Sequence, residues 1–382
     1  MKHQIKKTDY DVAIIGGGLA GLSMSILLAQ KGHRVILFEK ENYPFHKVCG
    51  EYISMESWNF IKGLGLNLDE LQLPIIKNLI VSAPNGINLK STLDLGGFGI
   101  SRYLMDNQLK QISEKCGVKI CEGTKINEVT MSNNIFTLKY NGAELMAAVV
   151  AAGFGKKSNL DVKWNRNFTQ KKTNKLNNYI GVKYHIESDF PADTIALHNF
   201  ENGYCGISKV ENNIYCLCYM TTAKNLQNNG GSIKAMEENV LYQNPFLQKI
   251  FTQSSFLFSS PVTISQLSFE KKSQVENHVL MIGDAAGMVT PLCGNGMSMA
   301  MHSAKISAKL ADDFLKKLIT REQMEKQYED EWKQTFSSRL RWGRIIQRFF
   351  GKSKLTNMFV GIMKRYPRLV NSVIKSTHGK EF

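Results

Sequence analysis

The sequence predicts an α/β fold in which a parallel-sheet domain is interrupted by a β-rich insertion and followed by a basic, helical C-terminal region. Three observations predict it. Two glycine-rich segments about 265 residues apart, Gly16-Gly17-Gly18-Leu19-Ala20-Gly21 and Gly283-Asp284-Ala285-Ala286-Gly287, each follow a short apolar run and open a helix-like stretch. Between them, residues 178–222 alternate in strand fashion, with turns at Glu201-Asn202-Gly203 and Glu211-Asn212-Asn213. From about residue 298 onward the pattern is helical. The expected division is 1–75, 97–160 and 275–320 for the first domain, 76–96 and 161–274 for the insertion, and 321–382 for the helical region.

Taken in order, Val12-Ala13-Ile14-Ile15 reads as a strand, the glycines as a tight turn, and Leu19 to Gln30 as a helix. Gly16 permits the sharp turn, Gly18 lets backbone approach a pyrophosphate, and Gly21 lets the helix pack closely on the sheet. The N–H groups around Leu19 and Ala20, at the helix start, suit an anion. Arg34 to Phe38 reads as the second parallel strand and ends at Glu39, 23 residues after Gly16. A carboxylate there accepts hydrogen bonds from both ribose hydroxyls of an adenosine, with Lys40 beside it. Strand, turn, helix and terminal acid together predict a dinucleotide site. Farther along, Ile80 to Leu95 suggests two strands, and Ile126–Val129, Ile135–Tyr140 and Leu145–Ala151 a meander. One helix is expected over Ser232 to Phe251, then a strand at Val279 to Ile282 and a helix over Met297 to Leu310.

The 382-residue chain is long enough for two intimately joined domains, and its hydrophobic content of 43% is that of a globular protein. Seven cysteines, at 49, 116, 121, 205, 216, 218 and 293, form an odd, scattered set without a CxxC pair. They predict neither a metal site nor a disulfide framework. The charged start leaves no room for a signal peptide, and no apolar run approaches ~18 residues. A cytoplasmic protein is expected, peripheral to a membrane if its tail docks there. Residues 339–382 hold eleven Lys or Arg and one acid, out of a net charge of +15. Apolar positions 342, 345, 346, 349 and 350 fall on one helix face, as do 355, 358, 359, 362 and 363. Two readings stay open: capping helices with solvated basic faces, or a surface that docks on anionic lipid or takes an amphiphilic substrate. No nucleic-acid module is visible, and nucleic acid is not an expected partner.

Gly283-Asp284-Ala285-Ala286-Gly287, with Pro291 and Gly294-Asn295-Gly296 after it, is similar to the C-terminal flavin motif of the FAD-dependent hydroxylase and reductase superfamily. This family includes the p-hydroxybenzoate hydroxylase-like and geranylgeranyl reductase-like proteins. The resemblance implies a Rossmann-type, glutathione reductase 2-like domain holding FAD. Asp284 would contact the ribityl chain or pyrophosphate (a plain helix cap being the other reading), and Pro291 to Met297 would lie beside the isoalloxazine ring. The stretch from Arg102 to Leu109 resembles the family's R-x-x-x-D-x-x-L element, whose Arg approaches the flavin phosphates or ribityl chain. The other reading is an Arg102–Asp106 pair along a helix. Lys47-Val48-Cys49-Gly50-Glu51 resembles the reductase branch, where this segment runs along the flavin and its Cys faces the substrate cavity. Cys49 is then a candidate proton donor, or else a buried thiol without a task.

Two departures stand beside these matches. Gly203-Tyr204-Cys205-Gly206-Ile207-Ser208-Lys209 occupies the position of the reductases' Tyr-x-Trp-x-Phe-Pro element, which lines a lipid cavity. Only Tyr204 survives, and Gly206 replaces the Trp. The hydroxylases' Asp-Gly pair, which serves FAD and NAD(P)H, is Ala152-Gly153 here, although Gly153 can still turn close to the cofactor. The reductant is thus NAD(P)H or another donor. The halogenases' Trp-x-Trp-x-Ile-Pro element is absent. The expectation is an FAD-dependent oxidoreductase of the geranylgeranyl reductase-like group, passing hydride between flavin and a hydrophobic polyene, isoprenoid or polyketide lipid. The alternatives are an oxygen-using monooxygenase, less a halogenase, or a non-catalytic flavin electron carrier.

Overall fold

The computed structural model describes residues 8–170, 178–288, 294–349, 352–377 and 379–382. Five strands form the parallel core of the first sheet, in the order Lys119–Cys121, Val35–Phe38, Tyr10–Ile15, Ala143–Ala152 and Val279–Met281. Parallel neighbours need a crossover, and helix Leu19–Gln30 supplies the one from Tyr10–Ile15 to Val35–Phe38. All four residues of Val35–Phe38 are buried, which is why these strands read as unbroken apolar runs. Helices Leu19–Gln30, Arg102–Lys115 and Gly296–Leu315 pack together in this domain. The meander Glu128–Ser132, Ile135–Tyr140 and Ala143–Ala152 turns through Asn133-Asn134 and Asn141-Gly142, all with positive φ, the geometry of two-residue hairpins.

The second sheet has nine strands. Its antiparallel centre is Tyr179–Glu187, Tyr215–Thr222, Gly203–Lys209 and Thr194–Phe200, continued by Ile75–Ser82 and Asn88–Gly99. Tyr52–Ser54 also joins this sheet, beside Gly97 to Gly99. One face carries Ile180, Val182, Tyr184, Ile207, Leu217 and Tyr219 and is covered by Met236, Leu247, Ile250 and Phe251. The single helix expected over Ser232 to Phe251 is two helices, Ile233–Val240 and Pro245–Gln253. Pro245 has no N–H to continue the first one, so it starts the second at a position where none is needed, and the Asn244 side chain caps Phe246.

The C-terminal region spans both domains. Helix Arg321–Phe349 buries Met324, Tyr328, Trp332, Phe336 and Leu340, one residue per turn, in the first core. Helices Ser353–Arg365 and Pro367–Thr377 instead set Val360, Met363 and Val370 against Val81, Ala83 and Leu89 of the second sheet. This corrects the expected apolar faces. Leu355, Met358 and Ile362 are exposed while Met363 is buried, because the sheet takes the Thr356–Val360–Met363 side of the helix. Trp342 and Ile345 are exposed as well. The side chains of 346, 349 and 350 lie outside the described residues. Among those described, no helix is long and apolar enough to cross a membrane.

Candidate active site

The first glycine turn is built by close approach. Gly16 has φ +104°, and a Cβ on it would collide with the Gly153 carbonyl at the end of strand Ala143–Ala152. A Cβ on Gly21 would overlap the Gly16 carbonyl, so the helix can lie this near its own strand only with hydrogen there. Leu19 and Ala20 turn their side chains into the core. No acid stands in the helix's first turn, and Gly18 offers no side-chain cap, so the N-terminal N–H groups remain for an anion. Glu39 is buried at the end of its strand. Its carboxylate accepts from Gly17 N at 2.9 Å and Glu41 N at 3.1 Å, which fixes its orientation beside the glycine turn. Lys40 is exposed beside Glu41. Gly21→Ala is expected to abolish FAD retention on purification, read as loss of the flavin absorbance.

Two cations stand beside the first glycine turn. The space beside Gly18 faces Arg102 Nη2 and Lys47 Nζ, 3.7 and 3.9 Å from where a Cβ would sit. Arg102 makes the Arg102–Asp106 pair along its helix. Its guanidinium grips Asp106 with two bonds of 2.6 and 2.7 Å, and Lys47 reaches the same carboxylate at 3.0 Å. Burial pushes the Asp106 carboxyl up, but the two cations overcome this and keep it below its ordinary range. The trio carries a net positive charge, suited to a pyrophosphate.

The second turn touches the first, since a Cβ on Gly283 would meet that of Ala20 at 3.1 Å. Gly283 has φ +60°, and Asp284 lies inside a short 3-10 turn rather than capping a helix. Three side chains draw back its carbonyls: Lys272 Nζ bonds Asp284 O (2.9 Å), Arg166 Nη2 bonds Ala285 O (3.1 Å), and Gln274 Nε2 bonds Ala286 O (3.0 Å). Burial lowers the Lys272 ammonium to about 8, against the raising effect of Asp284. Gly294, with φ +66°, sits over the Tyr52 ring, and Asn295 precedes helix Gly296–Leu315, whose first turn has no acid. Pro291 lies outside the described residues.

Cys49 and Glu51 join the two domains. The Cys49 thiol is 3.6 Å from Met297 Sδ at the start of that helix, and its carbonyl accepts from Cys216 Sγ at 3.2 Å. Glu51, fully buried at φ +55°, takes Arg102 N at 2.7 Å, His185 Nε2 at 2.6 Å and the Lys183 ammonium. Burial pushes the Glu51 carboxyl up, yet Lys183 and His185 bring it down to about 2. Glu51, His185 and Cys216 have the spacing of metal ligands, and one oxygen of Glu51 already pairs with Lys183. Lys183 and His185 sit opposite Cys218 and Cys216 in the sheet, and Gly206 and Ser208 continue the two rows. Burial, then the neighbouring Cys49, pushes the Cys218 thiol up to about 12. Tyr204 lies one row farther along, in an apolar cluster with Met220, Leu267, Phe269 and Met288.

A family profile described as an FAD-binding domain matches residues 9–132, and one for squalene epoxidase matches residues 206–338. The conditioned medium factor receptor 1 of Dictyostelium discoideum is 23% identical over 361 residues, covering 86% of this chain and 68% of its own. A digeranylgeranylglycerophospholipid reductase of Methanococcus vannielii is 24% identical over 365 residues, covering 85% and 82%. Among solved structures, the flavin-dependent brominase Bmp2 superposes with a TM-score of 0.78 at 19% identity, covering 96% of this chain and 93% of that one. Fold and site define a Rossmann-type flavoprotein with FAD as its cofactor. Together these matches support an FAD-dependent enzyme of the FAD-dependent oxidoreductase superfamily.

Proposed function

We propose that the protein is a reductase of the geranylgeranyl reductase-like group acting on a carbon–carbon double bond of a hydrophobic polyene, isoprenoid or polyketide lipid. The observation that carries this reading is the Cys49 thiol, which lies between Met297 at the flavin-end helix and the sheet face bearing Lys183 and Cys218. FAD, bound and reduced, supplies a hydride. Arg102 and Lys47 would hold its pyrophosphate, Glu39 its ribose, and the N-terminus of helix Gly296–Leu315 would stabilise negative charge at the ring. With a hydride added at one substrate carbon, Cys49 would give its proton to the other, so that two C–H bonds replace one π bond. Lys183, kept charged by Glu51, would stabilise the thiolate left on Cys49 until water returns its proton. The apolar surface around Tyr204, Met220 and Leu197 holds the substrate chain away from water.

Anaerobically reduced protein mixed with a conjugated polyene should bleach it stoichiometrically. A strict requirement for oxygen would end this reading and support a monooxygenase, which the squalene epoxidase match over residues 206–338 favours. No product in either condition leaves an electron carrier. Gly206 gives a second test. A Cβ there would stand in ordinary contact with Leu197 Cδ2 and Cys218 O at 3.7 Å and Ala196 O at 3.8 Å, without a clash at the root of a side chain. Gly206→Trp should preserve the fold and FAD while lowering kcat/KM for long-chain substrates about tenfold or more relative to short ones.

A further inference from the structure

We infer that the last two helices dock the protein on a bilayer containing anionic lipid. From residue 332 to 380 the chain has twelve Lys or Arg and no acid. A merely solvated cap would turn polar residues outward. Here Val360, Met363 and Val370 cover the sheet, while Leu355, Met358, Ile362, Tyr366 and Leu369 stand on the outside, 37% to 56% exposed. Trp342 and Ile345 extend this apolar surface, and Lys352, Lys354, Lys364, Arg365 and Arg368 are exposed among them. Aliphatic and aromatic side chains interleaved with cations, without compensating acids, match the boundary between acyl chains and phosphate headgroups. Nucleic acid would use the charge but not the exposed Leu, Met and Ile.

The docking face is continuous with the apolar sheet surface. Leu197 packs both against the cluster beneath the two helices and against the cluster containing Tyr204 and Met220. A cavity of about 260 Å³, lined by Leu89, Lys90, Met363, Lys364 and Val370 among others, lies at this seam. Docked in this way, the helices would bring this seam to the lipid, on the side of the sheet where Leu197 leads to the Tyr204 cluster. A use for that link rests on the proposed reaction; the docking itself does not.

The test is co-sedimentation of the full-length, FAD-loaded protein with vesicles of phosphatidylcholine alone or with added phosphatidylglycerol. Binding is expected to the mixed vesicles only, and to weaken with salt. Met358→Asp/Ile362→Asp and Lys364→Glu/Arg365→Glu/Arg368→Glu should each lower it about tenfold or more, with flavin absorbance and circular dichroism unchanged. Equal binding by the Met358→Asp/Ile362→Asp protein overturns the proposal. So does binding to duplex DNA or RNA, indifferent to the two aspartates, in place of vesicles. Turnover is not read, so failure here leaves the reductase reading intact, and loss of polyene bleaching leaves the docking intact.

Discussion

Glu51→Gln is expected to destabilise the protein by about 3–5 kcal/mol, because it leaves the Lys183 ammonium buried without its counter-charge. Lys183 is fully buried, and the Glu51 carboxylate pairs with its ammonium while also hydrogen-bonding His185 Nε2 and the Arg102 N–H. Urea unfolding at pH 7 under saturating FAD measures the loss. Lys183→Met added to Glu51→Gln should recover part of it, since the unpaired charge goes too. An unchanged midpoint for the single variant would show that the cluster does not hold the domains together. The pH dependence has a definite sign. Glu51 falls to about 2 in the folded protein from an ordinary value of 4.5. The unfolded chain therefore binds its proton first as pH drops. Its contribution is full above about 4.5 and is lost as pH falls through about 2, a matter of roughly 3 kcal/mol.

Cys49→Ala should keep FAD bound and slow turnover by about 10²–10⁴-fold, the usual worth of a positioned general acid. Stopped-flow absorbance separates this from a packing defect. Reduction of the bound FAD by its donor should keep its rate, while reoxidation by the lipid substrate slows. Cys218 is the competing donor, because its thiol stays protonated across the neutral range and it neighbours Cys49. If Cys218→Ala slows reoxidation and Cys49→Ala does not, the proton comes from the sheet instead.

The cofactor end of this site was legible because its chemistry is local. A glycine that must avoid its neighbour's carbonyl, an apolar strand before it and an acid closing the next strand are all encoded within thirty residues. The tail's charge was legible too, but not which side of its helices would be covered. That depended on where Val81, Ala83 and Leu89 lay. Lys183 and His185 went unread, although their spacing of two in a strand otherwise alternating Ile180, Val182, Tyr184 and Ile186 is a usable signal. Two polar residues on the second face of a buried strand need partners there. Arg166, Lys272 and Gln274 carry no such signal, since each acts on a backbone carbonyl more than ten residues away.

Backbone requirements, then, were written into the chain: where it must turn, where it must leave room for a pyrophosphate, and where it accumulates positive charge. They depend on neighbours in sequence, and glycine, proline and a terminal carboxylate report them directly. The meeting of Cys49 with Met297, the burial of Glu51 between Lys183 and His185, and the outward turn of Leu355, Met358 and Ile362 came from packing. Those contacts join segments brought together by two sheets, and their energies arise from burial that no single segment has on its own.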